Sequence, residues 1–127
     1  MKEHTTDLYL IAYGHSFESA LIELIKAFLS HIHIKKKKNL KEKFHIILDG
    51  KKDEIVVKLL NELLYLMETE DKIIENINNI KYSNGKLNVE FYINKGEVET
   101  EIKSATYHDL KVEHKNNGWS IRVLLDI

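Results

Sequence analysis

Two aspartates sit at the margins of apolar runs at opposite ends of this chain. Asp126 follows Ile121 to Leu125 and precedes only Ile127, whose α-carboxylate supplies a second anionic group on the adjacent residue. Asp7 closes His4-Thr5-Thr6-Asp7 and opens the stretch Leu8 to Ala12. Carboxylate and main-chain oxygens are hard donors, and gathered at one point they favour Ca²⁺, Mg²⁺ or Mn²⁺ over a soft-ligand metal. Such a site requires the first and last strands to be neighbours, which spacing alone does not establish. Without that neighbourhood, both are ordinary solvated acids. The chain has no cysteine, so disulfides and thiolate sites are excluded and any metal must use oxygen or imidazole ligands.

Other residues carry weaker chemistry. Seven histidines are present, but His31 and His33 are two apart, a spacing that does not put both on one helical face. No H-E-x-x-H occurs, and most of the histidines are expected at the surface. His4 and His108 stand apart because they neighbour Asp7 and Asp109, where they could support a metal ligand from behind. Ser16, Ser104 and Thr106 are loose hydroxyls with no G-x-S-x-G elbow around them. No glycine cradle for a nucleotide phosphate is present either. Lys35, Lys36, Lys37, Lys38, Lys41 and Lys43 crowd into nine residues. That run is first of all a solvated connection. Contact with RNA or an acidic partner is the alternative, although no aromatic residue is interleaved with it.

Residues 4–13 form a strand with apolar groups on both faces, expected to be covered on both sides or central in its sheet, and Gly14 breaks it. Ser16 caps a helix running to about Ser30, with Phe17, Ala20, Leu21, Leu24, Ala27 and Phe28 on one stripe. Phe44 to Leu48 is a short strand. Asp53 is expected to cap a helix over about 54–70 that is apolar over so wide an arc that it belongs in the core rather than in a partner groove. From Ile73 the period becomes two, giving strands over 73–82 and 87–93 around the Ser83-Asn84-Gly85 turn. A turn at Lys95-Gly96, strands over 97–107 and 110–114, and a final strand after Asn116-Asn117-Gly118 complete the chain. In that last strand Trp119, Ile121, Val123 and Leu125 face inward. Two helices on a mostly antiparallel multi-stranded sheet make an α+β class.

At 127 residues with no dividing linker, the chain reads as a single domain over 1–127. It is 43% apolar and 31% charged, with net charge −1, a balance that argues against a dedicated nucleic-acid binder with a large positive field. No apolar run approaches the ~20 residues that span a bilayer, and no signal-peptide core opens the chain, so a cytoplasmic location is expected.

Three blocks, in order, resemble the archease family nearly end to end: His4-Thr5-Thr6-Asp7, Leu60-Asn61-Glu62-Leu63-Leu64-Tyr65-Leu66, and Ile102-Lys103-Ser104-Ala105-Thr106-Tyr107-His108-Asp109-Leu110-Lys111-Val112, with Leu125-Asp126-Ile127 completing the match. Thr6 departs from the usual alanine, and the lysine-rich segment is this chain's own. The resemblance implies an accessory protein of the RtcB-type tRNA-splicing ligase that promotes guanylylation of the ligase histidine, supports multiple turnover and can broaden nucleotide use. It implies no catalysis by the chain itself, and only indirect or weak contact with tRNA. It also implies a divalent-metal site on Asp7, Asp126 and Ile127. The rival readings are a stand-alone divalent-cation-binding or chaperone-like module and a small metal-dependent hydrolase using His108 with the two aspartates.

Overall fold

The structure, a computed structural model, describes residues 7–127; the expected roles of His4, Thr5 and Thr6 lie outside those residues. The elements follow as β1 (Asp7–Gly14), α1 (Phe17–Leu29), β2 (His33–Lys37), β3 (Glu42–Asp49), α2 (Lys52–Thr69), β4 (Lys72–Ser83), β5 (Lys86–Glu99), β6 (Ser104–Lys115) and β7 (Gly118–Asp126). The strands form two antiparallel sheets. One has the order β1-β7-β6; in the other, β5 pairs with β4 on one side and with β2 and β3 on the other. Both helices pack against strands of both sheets, and the α+β class stands.

The two helices start by different means. Ser16 accepts the amide of Ser19 at 3.0 Å, and the Ser19 hydroxyl closes the reciprocal bond to Ser16 N–H, so α1 begins on a capping box. The expected cap at Asp53 is corrected. Lys51 is the N-cap of α2, Glu54 Oε1 accepts its amide at 2.8 Å, and Asp53 sits inside the first turn. An acid in the first turn favours the helix without capping it, because exposed amides and the dipole concentrate positive charge there. Ile55, Val56, Leu59, Leu60 and Leu63 are fully buried, which makes α2 the centre of the core. Each such side chain contributes about 1.5–3 kcal/mol of apolar transfer.

Three further expectations change. β1 is neither central nor covered on both sides. Among the described residues it pairs with β7 alone, and while Leu10 and Ala12 are buried, Tyr9, Ile11 and Tyr13 are exposed. The lysine run is not merely a connection, since His33–Lys37 is the strand β2 along β5. Lys95-Gly96 is not a turn, for β5 continues to Glu99 and the chain breaks later, at Thr100–Lys103. Gly96 is there for lack of a side chain: a Cβ would collide with the Lys36 carbonyl of β2. The Asn84-Gly85 turn is as expected, with φ of 53° and 72°, the positive values a two-residue hairpin loop demands.

Candidate functional site

Register decides whether the two terminal aspartates meet. β1 and β7 run antiparallel with Asp7 opposite Asp126, and the pairing continues residue by residue to Gly14 opposite Trp119. Directly opposed residues project to the same face with Cβ atoms about 4.5–5.5 Å apart. The two carboxylates therefore share one end of the outward face of the sheet. On the other side of β7, Ser104 stands opposite Asp126 and adds a hydroxyl-bearing residue to the row. The Asp126 main chain is fixed by the Lys103 amide, which donates to its carbonyl at 2.7 Å. Ile127 is half-buried and lines a cleft of about 640 Å³ together with Leu8, His31, His33 and Ile102.

This donor set fits a hard cation. Asp7 and Asp126 can give carboxylate oxygens and Ile127 a main-chain oxygen, and such groups suit Ca²⁺, Mg²⁺ or Mn²⁺. Among the described residues no cluster of three or more His, Cys, Asp or Glu side chains converges. Any ion held here therefore relies on two acid side chains, with main-chain oxygens and water completing its shell.

β6 reaches the site by an irregular path. Thr106 pairs with Leu124 and Lys111 with Arg122, so four residues of β6, 107 to 110, bulge opposite a single residue of β7. Asp109 lies in the bulge with φ 55°, a conformation that Asp tolerates better than most residues. Its carboxylate accepts the Tyr9 hydroxyl at 2.9 Å, and its carbonyl accepts Arg122 Nε and Nη2 at 3.3 Å each. The Arg122 guanidinium lies over the Tyr9 ring, 5.4 Å from its centre. His108 Nε2 is 3.5 Å from the same Asp109 carboxylate and is largely exposed. The bond donated to Asp109, followed by partial desolvation and the negative charge of that carboxylate, holds the Tyr9 hydroxyl above the ordinary tyrosine pKa. Tyr9 is two residues from Asp7 on the same face, so the bulge stands beside the acidic pair. The contacts recorded for His108 and Asp109 run within the bulge and to Tyr9 and Arg122, not to the acids.

Sequence reasoning missed Asn61. Its Oδ1 accepts the Ala105 amide at 2.7 Å and its Nδ2 donates to the Ala105 carbonyl at 3.0 Å. From α2, one side chain thus satisfies both main-chain groups that an edge strand leaves open. It holds β6 next to Ser104. The signal was the one amide side chain of the helix, set among the buried leucines Leu59, Leu60, Leu63 and Leu64. His31 and His33, read as surface histidines, are exposed as expected, yet they share a cleft with Ile127. Ser16 is spent on capping, and the Thr106 hydroxyl donates to the Leu124 carbonyl at 3.0 Å.

The model of the Archease protein family matches residues 1–127. A protein archease of Methanosarcina mazei is 28% identical over 138 residues, covering 98% of this chain and 92% of the relative. One from Pyrococcus furiosus is 29% identical over 135 residues, covering 98% and 95%. The fold is similar to a Thermotoga maritima crystal structure described as an archease, possible chaperone, with TM-score 0.70, 23% identity, and 100% and 95% of the two chains covered. It is also similar to the solution structure of Methanobacterium thermoautotrophicum protein 1598, with TM-score 0.67, 18% identity, and 99% and 96% covered.

Proposed function

The chain belongs to the archease family, matched over its whole length, and from that premise we propose that it is an accessory protein of an RtcB-type tRNA-splicing ligase. It promotes guanylylation of the ligase histidine and so sustains multiple turnover. The observation that carries this reading is the in-register pairing of Asp7 with Asp126 beside Ile127. The pair sits on an exposed sheet face rather than in an enclosed pocket, as suits a group presented to another protein.

In this proposal Asp7, Asp126 and Ile127 hold a divalent cation at the mouth of the ligase active site. A cation bound there supplies concentrated positive charge, which stabilises charge developing on phosphate. The protein's own part is positional. The Lys103 amide fixes the Asp126 main chain, and Asn61 fixes the start of β6, which carries Ser104 and follows Lys103. No catalytic residue of its own is assigned.

The test is a ligation assay with an RtcB-type ligase, GTP and RNA ending in a 2′,3′-cyclic phosphate. Wild type raises product well above one turnover per ligase, whereas Asp126→Ala keeps its fold and does not. Normal stimulation by that variant would contradict the proposal. A chaperone-like role, the description attached to the Thermotoga maritima structure, predicts protection of unrelated clients by both proteins alike. Turnover by the purified protein alone would point to a hydrolase.

A further inference from the structure

The lysine run forms a surface. Every residue of β2 is exposed, and so are Lys38, Leu40, Lys41 and Lys43 beyond it. The segment is also fastened in place. The Lys38 amide donates to the Lys95 carbonyl at 2.9 Å, and the Leu40 amide donates to Asn94 Oδ1 at 3.0 Å. Asn94 is 3% exposed, and its Nδ2 donates to Glu75. Of the six lysines, Lys37 alone makes an ion pair among the described residues, with Glu75 at 3.3 Å. The acids beside the segment are Glu42 on the segment itself, Glu97 and Glu99 opposite Lys36 and His33, Glu90 opposite His45, and Glu75, which is engaged by Asn94 and Lys37.

Lysines on an edge strand also discourage pairing with a second sheet. That accounts for Lys35 to Lys37 on β2 and for Lys43 on β3, but not for Lys38 and Lys41, which lie in the connection between the two strands. The neighbouring sheet face extends the row with amides and a histidine and carries one acid, Glu90, whose carboxylate accepts Asn78 Nδ2. Lys43 and Asn76 both stand opposite Tyr92, and His45 and Asn79 both stand opposite Glu90. The Lys41 ammonium is 5.5 Å from the centre of the Tyr92 ring. Ammonium groups in a row, beside amides and one aromatic ring, match a polymer with regular anionic charge, hydroxylated sugars and flat bases. The row also has a direction, because the cleft lined by His31 and His33 at the start of β2 is the one that Ile127 lines.

We propose that β2, the β2–β3 connection and the start of β3 form a contact surface for the phosphate backbone of single-stranded RNA, running away from the Asp7–Asp126 end of the molecule. The contact is electrostatic, weak and indifferent to sequence. It does not depend on whether the protein stimulates a ligase.

The test is fluorescence anisotropy of a labelled single-stranded RNA of about 20 nucleotides, titrated with the full chain over a range of salt. With five free lysines each neutralising a phosphate, log K falls against log salt with a slope of about −3 to −4, so binding weakens roughly 100-fold between about 50 and 200 mM. A variant with Lys35, Lys36, Lys38, Lys41 and Lys43 all changed to Gln loses at least about tenfold in affinity and most of that slope. The same five changed to Arg keep both. A control with Lys26, Lys51, Lys86, Lys111 and Lys115 changed to Gln has the same net charge and binds like wild type. Three results overturn the proposal. They are no binding by wild type at low salt, equal losses in the two Gln variants, or equal or tighter binding of polyglutamate or of phosphatidylglycerol vesicles, which would indicate an acidic protein or a membrane.

Discussion

Asp126 owes its position to main-chain partners on both sides, with Asp7 opposite on β1 and Ser104 opposite on β6. Asp7→Asn and Asp126→Asn keep the shape of the side chains while removing one charge each. Each is expected to weaken Ca²⁺ or Mn²⁺ binding by calorimetry about 10- to 100-fold or more, since even the groups that merely orient a ligand are worth that much. Melting of the metal-free protein should scarcely change. In the bulge, Asp109→Ala removes the acceptor of the Tyr9 hydroxyl. Because that bond is the chief cause of the raised value, tyrosine absorbance should show the Tyr9 transition moving down toward the ordinary pKa of about 10. An unmoved transition would mean that the bond is not formed in solution. These residues were only partly legible in the sequence. Asp7 and Asp126 were visible as candidates, but their meeting depends on strand register. Residue types and spacing do not encode register, and only the family resemblance suggested it.

At the scale of elements, the strands are held by side chains that a pattern of apolar periods does not single out. Asn61→Ala leaves the buried Ala105 main chain without two partners, and urea unfolding should show a loss of about 1–3 kcal/mol. Gly96→Ala drives a methyl group into the Lys36 carbonyl, so β2 must shift away from β5 at a cost of about 1–3 kcal/mol. Gly beside Lys looked like a turn because glycine permits turns. Its role is close approach of two strands, which depends on a partner distant in sequence. Glu75 carries a pH signature. The bond from Asn94 first, and then Lys37, lowers its pKa below the ordinary glutamate value. Its stabilising effect is therefore in place above pH of about 4.5 and is lost as pH falls through the depressed folded value. The stability gap between wild type and Glu75→Gln should be present at neutral pH and close in acid. A gap that is constant with pH would contradict the assignment.

Across the whole molecule, the acidic pair and the lysine run occupy separate places although the net charge is only −1. The acidic pair closes one end of the β1-β7-β6 face, while the lysines line β2, the connection after it and the start of β3. The class, both helices and the Asn-Gly hairpin were legible in the sequence because each follows from local spacing. The division into two sheets was not, since it depends on which distant strands pair. The exposed row Tyr9, Ile11 and Tyr13 shares its face with Asp7. On the sequence alone, that row argued for burial. Large apolar groups left in water on one face are a common mark of interaction surfaces, in keeping with an accessory role. The most direct test of that role is multiple-turnover ligation by an RtcB-type ligase with wild-type protein and with Asp126→Ala, both verified as folded. Many products per ligase are expected with the wild type and about one with the variant; equal stimulation by the two would contradict the proposed role.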